Sequence, residues 1–154
     1  MLKVKDISIR NFKEKDIAQL IELCKAHAIH ERTEIKDEKK LALVSNCFLD
    51  STHNIHCWVV EQSNILVGYA TFCKQFSTWG AAFYMYLDCL YLKEEVRGKG
   101  LGKKIMSAIK VFALAENCEI LQWQTPDFNT NAIAFYEKLG AKKLSKKRFM
   151  WNLT

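Results

Sequence analysis

The feature that most constrains this chain is a strand, a loop and a helix joined in one stretch. Residues 82–92, AFYMYLDCLYL, are aromatic or aliphatic almost throughout, and Asp88 is the one charge among them. A strand apolar on both faces belongs in the middle of a sheet, covered on each side. The loop Arg97-Gly98-Lys99-Gly100-Leu101-Gly102-Lys103 follows and opens a helix, with Leu101, Ile105, Ala108, Ile109 and Phe112 at helical spacing to about Glu116.

The first turn of such a helix has backbone N–H groups without an intrahelical acceptor, at the positive end of the dipole. Glycines there remove the side chains that would keep a phosphate away, and Arg97, Lys99 and Lys103 add positive charge. The loop therefore suits a pyrophosphate. Its spacing is neither G-x-G-x-x-G nor G-x-x-x-x-G-K-[ST], and no acidic residue about twenty positions on stands at the end of a second parallel strand to hold a ribose. A tight turn without a ligand is the alternative reading.

The rest of the chain frames this stretch. Residues 4–10 alternate around Ile7 and Ile9 as a strand. From Lys13 to about Ala28 the period is helical, with Ile17, Leu20, Ile21 and Cys24 on one face, and residues 38–49 repeat it. A polar loop at 30–37 separates the two. Residues 56–61 and 65–72 read as strands joined by the hairpin Gln62-Ser63-Asn64. A strand at 120–124 precedes Asn129, which can cap a last helix carrying Ala132, Phe135, Tyr136 and Leu139 on one side and ending at Gly140. A closing strand is expected near 142–153. This order implies an α/β fold with a mixed, mostly antiparallel sheet and helices on both faces.

Composition narrows the classes. In 154 residues there are one proline and six glycines, which leaves no linker and predicts one domain over 1–154. No apolar run approaches the roughly 20 residues of a spanning helix. The start, Met1-Leu-Lys-Val-Lys-Asp6, lacks the plan of a signal peptide. A cytoplasmic protein with no membrane partner is expected. The net charge of +6 suits a phosphate-bearing partner. Six cysteines without a C-x-x-C read as reduced thiols rather than a disulfide scaffold or zinc site. His27 with His30, one helical turn apart, lack a third ligand, and His53 with His56 read as surface residues, so no metal is expected.

The glycine loop in its setting resembles the acetyl-CoA loop of the GNAT superfamily of N-acetyltransferases, Arg/Gln-x-x-Gly-x-Gly/Ala, with Arg97, Gly100 and Gly102 in its defining places. The likeness extends along the chain. Ile9-Arg10 with Asp16 looks like the family's first strand and helix, Ile65–Ala70 like its third strand, and Asn129 to Tyr136 with Gly140-Ala141 like its last helix. Within the superfamily, the run from Leu87 to Tyr136 is most similar to the diamine (spermidine/spermine) acetyltransferases.

That resemblance implies a single-domain GNAT fold and acetyl transfer from acetyl-CoA, as cosubstrate, to a primary amine on a small polyamine-like molecule. It implies cofactor contacts from Leu90, Tyr91 and Leu92 through their backbone, from Arg97 to Lys103 (Arg97, Gly98, Lys99, Gly100, Leu101, Gly102, Lys103), and from Asn129, Asn131 and Ala132. It also implies Tyr136 as the general acid and Asp88 as base or base-relay, where the diamine enzymes usually carry glutamate. The acceptor pocket would draw on Glu31 and Asp88, with Gln122 and Gln124 lining the cleft. Homodimerisation is implied by the same relatives.

Each assignment has a structural counterpart. Tyr136 can be a core aromatic beside Phe135, Asp88 can pair with a lysine, and Asn129 can be a cap alone. The loop holding His30, Glu31, Glu34 and Asp37 can be merely solvated, since Arg32 and Lys36 dilute its acidity. Lys142-Lys143 and Lys146-Lys147-Arg148 with Phe149 and Trp151 mix basic and stacking residues as a nucleic-acid surface does. No recognition helix or RNA-binding motif accompanies them, and a basic edge strand also guards against sheet pairing. No nucleic-acid partner is therefore expected. Other acceptor amines, and a binding-only relative that senses acetyl-CoA, are the remaining readings.

Overall fold

Ser63 and Asn64 both adopt left-handed backbone, φ 51° and 65°, the geometry a primed two-residue hairpin turn requires. They join two strands of the sheet seen in a computed structural model that describes residues 6–154. In chain order the elements are β1 (Ile7–Asn11), α1 (Ile17–His30), α2 (Glu38–Val44), β2 (Ile55–Gln62), β3 (Ile65–Ser77), β4 (Ala82–Leu92), α3 (Leu101–Ala115), β5 (Cys118–Trp123) and α4 (Thr130–Lys138). The sheet runs β1-β2-β3-β4-β5. The first three pairings are antiparallel and β4 with β5 is parallel. This is the mixed, mostly antiparallel α/β sheet that the element order implied. Residues 4 and 5 of the expected first strand lie outside the described residues.

Alternation along β2 sorts side chains to the two faces of the sheet. On one side Cys57 and Val59 pack with Phe12, Leu66, Tyr69 and with Leu20 and Leu23 of α1. On the other side Trp58 and Phe72 meet Phe112 of α3 edge to face, at centroid separations of 5.6 Å each. Helices thus cover both faces. Leu23, rather than Ile21, joins Leu20 in the core. His56 is not a surface residue: its ring stacks on Phe72 at 5.2 Å and meets Phe112 at 4.9 Å. It occupies an inward register position of β2, which a histidine pair two turns from any helix does not reveal.

One ion-pair network ties β1 to the start of α1. Arg10 holds both carboxylate oxygens of Asp16, at 2.7 and 2.9 Å, and donates a further bond to Glu61. The Lys13 amide donates to the same Asp16 carboxylate at 2.8 Å. Asp16 is 2% exposed.

The chain divides into two compact units, one reaching Gln124 and the other Thr125–Thr154. In the second, the Asn129 side chain accepts from the Ala132 amide and caps α4 as its sequence position suggests. Gly140, at φ 88°, ends that helix, with its own amide on the Glu137 carbonyl and the Ala141 amide on that of Tyr136. The strand expected near 142–153 does not form: residues 141–154 carry no strand pairing. Phe149 is 91% exposed and Trp151 89%. Alternating apolar residues favour extended backbone, but a strand exists only where another strand accepts its hydrogen bonds.

All six cysteines are free thiols, Cys57 and Cys118 buried and the other four half-buried. Among the described residues no helix is long and apolar enough to cross a membrane, and no cluster of three His, Cys, Asp or Glu could hold a metal ion.

Candidate active site

The register of β4 defines the site. Against β3, Thr71 pairs with Cys89 and Phe72 with Leu87, so Asp88 is the extra residue of a β-bulge. A bulge bends its strand and re-aims a side chain. Here it turns the one acidic residue of β4 out of an otherwise apolar strand, and Asp88 is exposed. Its carboxylate lies 3.5 Å from the Cys89 sulfur and forms no ion pair among the described residues. The lysine pairing that the sequence left open is absent there.

The pairing with β5 stops one residue earlier. Its last match is Leu87 with Trp123, and Asp88–Leu92 have no partner on that strand. Leu90, Tyr91 and Leu92 are half-buried. Their outer backbone edge therefore presents hydrogen-bonding groups that another chain or an extended ligand can use. On the opposite edge Gly68 pairs with Leu92, and a Cβ at Gly68 would stand 2.5 Å from the Leu92 side chain and 2.6 Å from the Tyr91 carbonyl oxygen. Only glycine lets β3 and the open end of β4 run this close.

From Leu92 the chain turns through Lys93–Val96 into the glycine loop. Gly98 and Gly100 take φ of 72° and 77°, conformations L side chains rarely adopt. Nothing lies within 4 Å of where a Cβ would sit on either. Gly100 caps α3 with no side-chain hydrogen bond, whereas Asp37 caps α2 and Asn129 caps α4. The first amides of α3 are thus left to solvent or to an anion. Leu101 is buried and anchors the turn; Gly102 follows it inside the helix and Lys103 is exposed.

Two basic residues expected to face a phosphate are engaged with backbone instead. Arg97 donates from Nε to the Leu92 carbonyl at 2.7 Å and lies 5.4 Å from the Tyr91 ring centre. Lys99 donates to the Glu95 carbonyl at 2.8 Å. Arg97 ties the loop to the end of β4, and Lys99 ties it to the turn that follows.

The other candidates are distributed as follows. Glu31, the residue after α1, is half-buried with Oε1 3.6 Å from His27 Nε2. Gln122 is exposed near the end of β5 and Gln124 just beyond it, with Trp123 half-buried between them. In the second unit Asn129 and Ala132 share the α4 cap, Asn131 is exposed, and Tyr136 is half-buried with its ring tilted against Phe135 at 5.2 Å. Asp37 is committed to capping α2 through the Lys40 amide.

Sequence reasoning missed one group. His27 packs on β3 and β4, its Nδ1 2.8 Å from the Tyr69 hydroxyl and its ring stacked on Tyr91 at 5.2 Å. The available signal was its place four residues after Leu23, on the apolar stripe of α1.

Comparison with known proteins bears on this geometry. The family model described as the Acetyltransferase (GNAT) family matches residues 17–141. The chain is 32% identical over 151 residues to a thialysine N-epsilon-acetyltransferase of Bos taurus, covering 91% of this chain and 86% of that one. It is 29% identical over 84 residues to an L-ornithine N5-acetyltransferase of Arabidopsis thaliana, 54% of this chain and 37% of that one. In fold it is similar to the solved structure of an aminoglycoside acetyltransferase from an uncultured soil metagenomic sample, with a TM-score of 0.78, 21% identity, and coverage of 98% and 99% of the two chains. On the family match over residues 17–141 and the likeness to the Bos taurus enzyme along most of its length, the chain belongs to the acetyltransferase (GNAT) family and is an acetyl-CoA-dependent N-acetyltransferase.

Proposed function

We propose that the protein moves the acetyl group of acetyl-CoA to a primary amine on a small, flexible, polyamine-like molecule. The observation that carries this reading is the meeting of three features at one end of β4: the exposed Asp88 at its bulge, the strand edge free beyond Leu87, and the uncapped start of α3. The residues fit the cosubstrate. The amides after Gly100 receive the pyrophosphate, with Lys103 beside them, and the open space over Gly98 and Gly100 leaves room for it. The edge of Leu90–Leu92 pairs with the extended arm and offers an amide to the thioester oxygen. Asn131 and Ala132 touch the arm from α4.

Asp88 receives the ammonium end of the acceptor, with Glu31, Gln122 and Gln124 extending the acceptor site. An alkyl amine has a pKa near about 10.4, so only about one in a thousand is neutral at pH 7.4. The site must therefore remove a proton before attack. Tyr136 gives its proton to the departing thiolate. A small acceptor is supported by the relatives named for thialysine and ornithine, both of which carry a primary amine on a short chain. A homodimer would give the exposed Phe149, Trp151 and Leu153 a partner.

Thiol release from acetyl-CoA tests the reading across polyamines, amino acids with side-chain amines, aminoglycosides and peptides. The highest kcat/KM is expected with the first two groups. A preference for peptides would count against a small acceptor, and no thiol release with any amine would remove catalysis altogether.

A further inference from the structure

His27 packs against β4, the strand that carries Asp88. It lies in the last turn of α1, its side chain 14% exposed. Two neighbours fix the ring: Tyr91 stacks on it at an interplanar angle of 23°, and Tyr69 meets it edge-on at 5.8 Å with its hydroxyl 2.8 Å from Nδ1. In the tautomer that donates from Nδ1–H, the Tyr69 hydroxyl is the acceptor. That leaves the lone pair on Nε2, which faces Glu31 across 3.6 Å, too far for a hydrogen bond but close enough to stabilise an imidazolium.

The charged surroundings bias this imidazole in a useful way. Burial is the largest influence and holds its pKa below the ordinary histidine value, and the neighbouring His30 acts in the same sense. Glu31 and Asp88 act in the opposite sense and favour the protonated ring. Burial pushes the Tyr69 phenol and the Cys89 thiol up, so both stay protonated and neutral at neutral pH. Arg97 lies over Tyr91 and is tied to the Leu92 carbonyl. At neutral pH His27 is thus a neutral ring with a free nitrogen and a carboxylate waiting beside it.

We propose that His27 is the terminal acceptor of the proton that the substrate ammonium must lose, with Asp88 between them and Glu31 as counter-charge. The proposal rests on the reading of Asp88 as the ammonium's partner given above. Chemistry favours it over Asp88 alone. An ordinary imidazole, near about 6.5, is a stronger base than an ordinary carboxylate, near about 3.9, and so takes a proton from an alkylammonium near about 10.4 less unfavourably; burial of His27 narrows that advantage, and Glu31 and Asp88 restore part of it. A base works best with a pKa close to the working pH. In the step, an ammonium N–H bond breaks, the Asp88 carboxylate carries the proton, and an Nε2–H bond forms on His27. The freed amine lone pair attacks the thioester carbonyl and forms the C–N bond, the C–S bond breaks with its electrons on sulfur, the thiolate takes a proton from Tyr136, and the second proton on the acylated nitrogen passes to the tyrosinate and restores Tyr136. His27 then loses its proton to solvent. His27 acts through Asp88 and is a positioning and relay residue.

The test is the pH profile of kcat/KM for thiol release with the best amine of the panel, for the wild type and His27→Gln. The wild type should show an acid limb that rises as His27 loses its proton, below the ordinary imidazole value. In His27→Gln that limb should disappear and kcat should fall about a hundredfold, with the KM for acetyl-CoA little changed. Glu31→Gln keeps the question open to refutation if His27→Gln does not fold. Removing that negative charge disfavours the imidazolium, so the acid limb should move to lower pH. An active wild type whose acid limb persists unshifted in His27→Gln, or in Glu31→Gln if that variant alone folds, overturns the relay and leaves the acetyltransferase reading standing. A wild type that releases no thiol with any amine overturns that reading, and the relay with it.

Discussion

Replacing Tyr136 by phenylalanine is expected to leave the protein folded, able to bind acetyl-CoA, and slower in turnover by roughly 10²–10⁴-fold. The position argues for this separation of effects. Tyr136 lies two turns into α4, after the Asn129 cap, and its half-buried ring rests against Phe135. Phenylalanine keeps that ring and removes only the hydroxyl. The lost function is donation to the departing thiolate. An ordinary phenol gives its proton to such a thiolate uphill by roughly 2 kcal/mol, which is tolerable when transfer accompanies C–S cleavage. Without the hydroxyl the thiolate leaves unprotonated, and the basic limb of the pH profile, which reports the donor, should go. Single-turnover thiol release, a melting curve and a titration with acetyl-CoA check the three parts separately. Full turnover in Tyr136→Phe would assign the proton elsewhere.

The second large effect is on stability. Asp16→Ala should cost about 3 kcal/mol, the low end for breaking a buried pair, because it strands the Lys13 amide and leaves Arg10 with only Glu61 and the Asn11 carbonyl. For a domain of this size that is a large share of the total. Burial alone would raise the Asp16 carboxyl, but the bidentate Arg10 and the Lys13 amide outweigh it and hold it below the ordinary value. The sign follows from that. A carboxylate depressed in the folded state contributes stability that is present above its unfolded pKa, near about 3.9, and lost as pH falls through the folded one. Wild type should therefore lose stability steeply between about pH 4 and lower values, and Asp16→Asn should lose that part of the slope. Urea unfolding of the three proteins from pH 3 to 7 measures both effects. An Asp16→Ala midpoint equal to that of wild type would show the network to be ornamental.

The elements were legible because their signals are local. The bounds of β4 fall where the apolar run begins and ends, and α3 opens at Leu101 within the glycine loop. Asn129 and Gly140 cap α4 because a side-chain acceptor and a residue free of Cβ strain are needed at those two points whatever surrounds them. The expected closing strand at 142–153 shows the limit of the same reasoning. Its alternation is real, with Phe149, Trp151 and Leu153 in phase, yet a strand depends on a neighbour that periodicity does not supply.

The site divides along the same line. Glycines at 98 and 100, the charge at 88 and the tyrosine at 136 could be picked out residue by residue, since each is a chemical exception in its segment. The bulge that turns Asp88 outward could not, because it arises from the register of β4 on β3, a relation between residues far apart in the chain. Nor could the bond from Arg97 to the Leu92 carbonyl, or the seating of His27 between Tyr69 and Tyr91. Composition and period decided which segments are strand, helix and phosphate loop. Only the packed sheet decided which side chains meet at the end of β4, because contact across strands is set by register and burial rather than by order in the chain.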